Sequence, residues 1–131
     1  MTAIGLKVSA ILTRVTRAGS PGQARKDTQM YGLIGRMSAV AGRRDEVLAI
    51  LLKSVGEMPG CLSYIVATDP GAPDAIWITE VWDSEASHRA SLSLPAVRDA
   101  ISKAKPLIAG FDQHFVTTPV GGHGLPGKSG A

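Results

Sequence analysis

A carboxylate, an indole and an imidazole lie close together in the segment ITEVWDSEASHRASL, residues 78–92. Glu80 and Trp82 point to the same side of a predicted strand, because alternate residues of a strand share a face. His88 lies in the helix predicted to follow, on the same helix face as Leu92 four residues later. An imidazole that titrates near neutral pH can act as a general base beside an apolar cavity, and an indole provides a flat wall for an aromatic ligand. The segment therefore predicts a cavity in which His88 is the base and Glu80 either orients it or takes the proton itself.

Each of these side chains also has an ordinary structural interpretation. Trp82 at a strand end is often a core residue, and a histidine such as His88 near a helix N-terminus is often only a hydrogen-bonding side chain. Glu80 can instead form an ion pair with Arg36 across neighbouring strands. Two further residues suit either a cavity wall or a half-buried strand, Tyr64 and His114.

Other reaction motifs lack the context that they need. The stretch GHGLPGKS, residues 122–129, matches the phosphate-binding pattern G-x-x-x-x-G-K-[ST], and Gly122, Gly124 and Gly127 match G-x-G-x-x-G. Such loops hold phosphate at the N-terminus of a following helix in a doubly wound sheet, and no such sheet is predicted before them. We interpret residues 121–131 as a Gly/Pro-rich tail.

No metal-binding or hydrolytic motif is visible. The three histidines, His88, His114 and His123, are scattered, and the chain contains no His-x-x-x-His and no Cys-x-x-Cys pattern. No G-x-S-x-G elbow marks a nucleophilic serine. The sequence therefore predicts neither a metal site nor a hydrolase.

The elements that position these residues alternate as βαββαβ from Tyr31 onward. Apolar runs predict four strands, at 31–40, 61–69, 76–82 and 111–120. Helical spacing predicts a first helix over 42–58, and a second helical stretch begins after the N-cap residues Asp83 and Ser84 and restarts at Pro95. This order predicts an α+β, ferredoxin-like fold, in which one antiparallel four-stranded sheet carries the helices on one face.

Both faces of the predicted sheet are apolar. One face of the third strand carries Ile76, Ile78, Glu80 and Trp82, and the other carries Trp77, Thr79 and Val81. The second helical stretch has an inward stripe of Val97, Ala100, Ile101 and Ala104. Helices can cover only one face of the sheet, and an exposed apolar face is unusual for a monomer. The sequence therefore predicts a homodimer.

Charge is distributed unevenly along the 131 residues. Residues 1–30 contain five basic residues and one acidic residue, a net charge of +4, whereas residues 31–131 contain nine basic and ten acidic residues, a net charge of −1. The folded part therefore lacks the basic surface that nucleic-acid binding requires. We predict a flexible basic leader at 1–29 and one domain at 30–120. Two interpretations of the leader stay open. It resembles an organelle transit peptide in composition, or it results from an upstream start codon and Met30 is the natural first residue.

The overall composition favours a cytoplasmic protein. The chain is 44% hydrophobic, and no apolar run approaches the roughly 20 residues of a membrane span. Its single cysteine, Cys61, excludes an internal disulfide and suits a reducing compartment.

The chain resembles the antibiotic biosynthesis monooxygenase superfamily over about residues 30–122. The resemblance is carried by the run MYGLIGRMSAVAGRRDEV … MPGCLSYIVATDP … DAIWITEVWDSEASHRASLSLPAVRDAISKAKPLIAGF. Its most specific parts are GCLSY at the start of the second strand and EVWDSEASHRASL after the third. The resemblance implies a dimeric α+β barrel in which two sheets pack face to face, in agreement with the apolar second face.

Members of this superfamily include cofactor-independent quinol or aromatic-polyketide monooxygenases and haem-degrading enzymes. The haem-degrading branch is associated with an Asn in the first strand, a Trp at the end of the third strand and a His in the last helix. Only Trp82 matches, because Ile101 occupies the His position and Gly35 or a neighbour stands where the Asn would be. The resemblance therefore favours the quinol branch.

For that branch the resemblance implies oxidation of a quinol or phenolic substrate with dioxygen, without metal, flavin or haem. The substrate hydroxyl is deprotonated in an apolar pocket, and the anion then passes an electron to dioxygen. We assign His88 as base, Glu80 as its orienting group and Trp82 as an aromatic wall. The expected substrate-binding residues are Tyr64, Leu92, Phe111, His114 and Arg36. The alternative is a non-enzymatic small-ligand-binding or dimerisation module, because one fold hosts many functions.

Overall fold

The described part of the chain forms a four-stranded sheet with helices packed on one face. The computed structural model describes residues 29–54, 56 and 58–125. The elements are β1 (Tyr31–Ala39), α1 (Arg44–Lys53), β2 (Cys61–Asp69), β3 (Ala72–Trp82), α2 (Glu85–Ser91), α3 (Pro95–Ala104) and β4 (Ile108–Thr117), with a 3-10 turn over Lys105–Leu107. The predicted βαββαβ order is confirmed, with the second helical stretch divided into α2 and α3.

The strands pair antiparallel in the order β2-β3-β1-β4. β1 lies between β3 and β4, with Leu33 opposite Glu80 and Met37 opposite Ile76. This is the strand order of the ferredoxin-like α+β fold, so the predicted fold class is confirmed.

Apolar side chains on the helix-covered face of the sheet form two clusters. The larger cluster joins β1, β3 and α1 and consists of Met37, Ala39, Val47, Leu51, Ile76 and Ile78. The smaller cluster lies at the other end of the same strands and consists of Tyr31, Leu33 and Trp82, with Met58 and Cys61 packed against it. Burial of these side chains supplies the main driving force for folding.

Two strands begin earlier than the sequence predicts. β3 begins at Ala72 rather than Ile76, because Ala72 already pairs with Asp69 across the hairpin. β4 begins at Ile108 rather than Phe111, where its backbone pairs with the end of β1. In both places backbone pairing extends the strand beyond the strongest apolar run.

The helix ends follow local capping. α1 ends at Lys53, five residues earlier than predicted, because the backbone N–H and the hydroxyl of Ser54 both donate to the carbonyl of Leu51, at 3.2 and 3.1 Å. Ser84 caps α2 as predicted and accepts a hydrogen bond from the backbone N–H of Ser87 at 3.1 Å. The helices of the described ranges are all shorter and less apolar than a bilayer-crossing helix must be.

Two terminal predictions extend beyond the described residues. Residues 1–28 of the predicted leader and residues 126–131 of the predicted tail lie outside them, as does the end of the phosphate-loop pattern at 122–129. The domain limits therefore stay predictions.

The sheet face opposite the helices carries a row of side chains across all four strands that is apolar on β2, β1 and β4 and has Thr79 on β3. Ile65 and Ile34 both lie opposite Thr79, and Phe115 lies opposite Ile34. Ile65 is 56% exposed and Phe115 is 51% exposed. The row supports the predicted homodimer, which stays a prediction.

Phe115→Asp should dissociate such a homodimer. An unpaired charge buried in an apolar interface should raise the dissociation constant of the dimer by about 100-fold or more. Light scattering at micromolar protein concentration measures the mass, and Val120→Asp, at a position 83% exposed after the end of β4, is the matched control. A wild-type protein that is monomeric at that concentration would contradict the predicted dimer.

Gly60→Ala should destabilise the fold more than Gly42→Ala does. Both glycines have positive φ, of +88° and +80°, so each alanine brings backbone strain of about 1–3 kcal/mol. A Cβ at Gly60 would also lie 2.5 Å from the Cβ and Oγ of Ser87 in α2, whereas a Cβ at Gly42 meets nothing within 4 Å. Urea denaturation measures the free energy of unfolding of both variants. Equal losses of stability would show that the clash with Ser87 in α2 does not contribute.

Candidate active site

Glu80 and Trp82 lie on the helix-covered face of β3, at the end where the strand leads into α2. The Trp82 side chain is 1% exposed, and its indole N–H donates a hydrogen bond to Glu80 Oε1 at 2.8 Å. A buried indole needs an acceptor for its N–H. The carboxyl group two residues earlier on the same face provides that acceptor.

His88 is held against this pair by α2. Its ring lies 5.6 Å from the Tyr31 ring and 5.4 Å from the Trp82 ring, centroid to centroid, in a tilted and an edge-on arrangement. The side chain is 5% exposed. The hydroxyl of Ser91, itself buried, donates to the backbone carbonyl of His88 at 2.6 Å. Aromatic packing therefore holds the imidazole at the sheet.

A cavity opens between the sheet and the three helices at this point. Its lining comprises Leu51, Ser54, Met58, Tyr64, Glu80, Trp82, His88, Ser91, Leu92, Val97, Ala100 and Ile101. Its free volume is about 60 Å³. A cavity of roughly 150 Å³ admits benzene, so an aromatic ring can enter this one only if its wall moves.

Glu80 titrates in the range of a general base at neutral pH. Burial raises its pKa from 4.5 to about 7, and the hydrogen bond from Trp82 opposes part of that rise by stabilising the carboxylate. A catalytic base is most effective when its pKa lies near the working pH. The carboxyl group of Glu80 satisfies that condition.

His88 is neutral at the same pH. Burial lowers its pKa from 6.5 to about 4, and the neighbouring Arg89 charge lowers it further. A neutral imidazole both donates and accepts hydrogen bonds. It is a weaker proton acceptor than Glu80 in this cavity, so the opposite pKa shifts of the two groups favour the carboxylate, the alternative proton acceptor of the sequence analysis.

The two tyrosines near the site keep their protons. Tyr64 lies opposite Glu80 in the strand register, and burial followed by the Glu80 charge raises the pKa of its phenol. Burial also raises the pKa of Tyr31, whose buried hydroxyl has no hydrogen-bond partner among the described residues. Tyr64 therefore offers the cavity a neutral hydroxyl.

The structure brings together five of the predicted site residues, which all line the cavity: Glu80, Trp82, His88, Tyr64 and Leu92. Two others lie elsewhere on the same sheet face. Phe111 packs against the larger core cluster, and His114 lies opposite Gly35 on the edge strand β4. The cavity lies over β2 and β3, two strands away, so neither side chain reaches it.

Arg36 is a correction to the sequence-based interpretation. It lies opposite Trp77 on the other face of the sheet, because Leu33 rather than Arg36 is the register partner of Glu80. Its guanidinium pairs with Asp69 at 3.2 Å and also with Asp112. The proposed ion pair with Glu80 is therefore wrong, and Arg36 does not line the cavity.

Several lining residues were not predicted as site residues. They include Leu51, Ser54, Met58, Ser91, Val97, Ala100 and Ile101. Val97, Ala100 and Ile101 belong to the inward stripe that helical spacing predicts for the second helical stretch. Spacing alone does not say which end of a helix approaches Glu80, because that depends on how the helix crosses the sheet. Among the described residues, no three His, Cys, Asp or Glu side chains come together as a metal site.

Comparison with known proteins decides the family. The family model for antibiotic biosynthesis monooxygenase matches residues 30–103, more than half of the chain. The chain belongs to the antibiotic biosynthesis monooxygenase family. The resemblance seen in the sequence is confirmed. No curated protein matches this family member.

Solved structures agree with that assignment. A Chloroflexus aurantiacus protein named for the same family is 64% identical, with a TM-score of 0.72 over 74% of this chain and 99% of that chain. A Bacteroides thetaiotaomicron protein, also named for the family, is 17% identical, with a TM-score of 0.65 over 76% and 97%. SnoaB from Streptomyces nogalater, a cofactor-independent oxygenase, is 13% identical, with a TM-score of 0.59 over 72% and 97%. At the two lower identities the likeness is one of fold.

Glu80→Gln should remove a pH dependence from the stability of this family member. Between about pH 4.5 and 7 the folded protein keeps a proton on Glu80 that the unfolded chain has lost, so the free energy of unfolding falls as the pH rises through that window. The loss reaches at most about 3 kcal/mol and is complete above about pH 7. The buried neutral His88 has the opposite effect, a free energy that rises with pH between about 4 and 6.5.

Urea denaturation from pH 4.5 to 8.5 isolates the contribution of Glu80, because the contribution of His88 is common to both proteins. As the pH rises, the free energy of unfolding of Glu80→Gln should increase relative to that of the wild type. Glu46→Gln, on the exposed side of α1, controls for the loss of a carboxylate. A difference that stays constant over this range would contradict the raised pKa.

Proposed function

We propose that this protein is a cofactor-independent monooxygenase that oxidises a phenolic or quinol substrate with dioxygen. The observation that carries the proposal is the carboxyl group of Glu80, with a pKa of about 7, beside Trp82 and neutral His88 in one cavity. The family assignment supports the same reaction class. The description of SnoaB as a cofactor-independent oxygenase adds that this fold hosts such chemistry.

The first step is proton transfer from the substrate hydroxyl to the Glu80 carboxylate. The hydrogen bond from Trp82 holds one carboxylate oxygen, so the other is directed to the substrate. The Trp82 ring and the apolar side chains of α3 line the cavity, so a bound aromatic substrate would displace water from the carboxylate. In such a site the phenolate is electron-rich and close to its base.

The second stage is reaction of the phenolate with dioxygen. One electron passes from the phenolate to dioxygen, and the two radicals combine at the ring carbon para to the hydroxyl, which forms a C–O bond. Protonation of the distal oxygen gives a hydroperoxide. Loss of the para C–H proton with cleavage of the O–O bond then releases water and leaves a quinone, so one phenol and one dioxygen become one quinone and one water.

Neutral His88 and Tyr64 have a supporting part in this scheme. The imidazole N–H and the phenolic O–H can each donate a hydrogen bond to an oxygen that becomes negative, either the phenolate or the peroxide. Burial keeps both groups uncharged, and a neutral donor does not need to be deprotonated first. We therefore place the proton acceptor at Glu80 and the donors at His88 and Tyr64.

A non-enzymatic small-ligand-binding module is the second candidate. It is favoured by the free volume of about 60 Å³, which suits a ligand smaller than an aromatic ring. The two candidates differ in whether dioxygen is consumed.

Oxygen uptake with 2-methyl-1-naphthol tests the proposal, because reaction with one dioxygen converts this phenol to menadione and water, with one oxygen atom in each product. With ¹⁸O-labelled dioxygen, one labelled atom should appear in the quinone. Reduced menadione is the companion substrate, for which oxidation by dioxygen gives hydrogen peroxide instead. The absence of protein-dependent uptake with both substrates would favour the binding module.

Glu80→Gln should lower kcat/KM by about 100-fold or more, because it removes the general base and keeps a hydrogen-bond acceptor for Trp82. In the wild type kcat/KM should rise with pH and level off above about pH 7. Trp82→Phe keeps the aromatic wall and removes the hydrogen bond that stabilises the carboxylate, so the profile should move to higher pH. Glu46→Gln should match the wild type.

His88→Asn should cause a smaller loss of kcat/KM and leave the pH profile in place. The opposite pattern would reassign the base to the imidazole. In that case His88→Asn would be inactive, Glu80→Gln would be active, and the profile of the wild type would level off near pH 4.

A further inference from the structure

A groove runs between α1 and α3 on the helix side of the molecule. Its volume is about 390 Å³, within the range of ligand-binding clefts. The lining comprises Ala49, Ile50, Lys53 and Ser54 from α1 and its C-cap, and Ala96, Asp99, Ala100 and Lys103 from α3. The groove lies on the side of the sheet opposite the apolar row of Ile65, Ile34 and Phe115, so a dimer formed through that row leaves the groove open.

The groove and the cavity at Glu80 share part of their walls. Ser54 and Ala100 line both spaces. Both side chains are short, so only a thin layer separates the groove from the cavity. A small separation of α1 and α3 at this point would join the two spaces.

The outer part of the groove carries two lysines. Lys53 lies in the last turn of α1 and Lys103 in the last turn of α3. Asp99 pairs with Lys103 at 3.0 Å, with both side chains more than 60% exposed. The described side chains of the groove therefore carry a net charge of +1, and the rest of the lining consists of three alanines, an isoleucine and Ser54.

We propose that the groove between α1 and α3 is the outer half of the substrate site, and that it takes the part of an aromatic substrate that carries a carboxylate or another anionic group. The proposal rests on the proposed function, because the reacting hydroxyl of that substrate would lie at Glu80. It also accounts for the size of the inner cavity. The inner cavity holds only the reacting end of the molecule, while the remainder lies between the helices.

Binding of two matched probes tests this proposal without turnover. The probes are 6-hydroxy-2-naphthoate, with its hydroxyl and carboxylate at opposite ends of the ring system, and its methyl ester, which has the same shape and no charge. Isothermal titration under anaerobic conditions gives the dissociation constant of each. The wild type should bind the carboxylate more tightly than the ester, and added salt should reduce the difference.

Charge reversal at the groove should act on the carboxylate alone. The double variant Lys53→Glu/Lys103→Glu should weaken binding of 6-hydroxy-2-naphthoate by about tenfold or more and change binding of the ester by less than about twofold. Lys105→Glu, at an exposed lysine outside the groove, is the matched control and should leave both constants unchanged.

Filling the groove should act on both probes. Ala96 lines the groove and not the inner cavity. Ala96→Trp should therefore weaken binding of both probes and leave the surroundings of Glu80 unchanged. Ala86→Trp, at an exposed position of α2, is the control. Thermal denaturation checks that each variant is folded.

Three results would overturn the proposal. The first is equal binding of the two probes by the wild type, and the second is failure of the wild type to bind the carboxylate. The third is a lysine double variant that binds the carboxylate as tightly as the wild type does. Failure of the monooxygenase proposal has a different signature, in which the probes bind with the expected lysine dependence and no labelled quinone is formed.

Discussion

The hydrogen bond from the Trp82 indole to the Glu80 carboxyl group connects the packing of this protein with its candidate chemistry. Trp82 is one of the largest fully buried side chains, and its N–H has lost contact with water. A buried donor without a partner costs about 1–3 kcal/mol, so the core requires an acceptor at this place. The acceptor is an ionisable group at the edge of a cavity, and the same contact therefore completes the core and holds the group that we propose as the base.

A second tryptophan and carboxylate pair shows how strongly the surroundings affect the pKa of the carboxyl group. On the other face of β3, the Trp77 indole donates to Asp69 at 3.0 Å. That hydrogen bond, the backbone N–H of Gly71 and the Arg36 guanidinium lower the pKa of Asp69. Glu80 accepts the same kind of hydrogen bond, but burial is the larger effect on it and raises its pKa. The two pairs are chemically alike, but their carboxyl pKa values shift in opposite directions. Desolvation raises the pKa of Glu80, whereas hydrogen bonds and the Arg36 cation lower that of Asp69.

The helices determine the shape of the site. α1 ends at Lys53, where Ser54 caps it, and α3 begins at Pro95 after a short break that follows α2. The short side chains of Ser54 and Ala100 line both the cavity and the groove. A bulky residue at either position would thicken the layer between the two spaces. The positions at which the helices end and begin thus determine which side chains line the site.

The sequence by itself determined the fold class, because alternation in the strands and helical spacing between them reflect which side of each element is buried. It also determined that Glu80, Trp82 and His88 share one region, since strand alternation and a short link to the next helix leave few other arrangements. Only the tertiary structure decided which of them titrates near neutral pH, because desolvation depends on side chains from α1, α2 and α3 that are distant in sequence. It also excluded Arg36, Phe111 and His114 from the cavity. Arg36 is excluded by the strand register, which turns it to the other face, and the other two by the sheet order, which puts β4 two strands from β3.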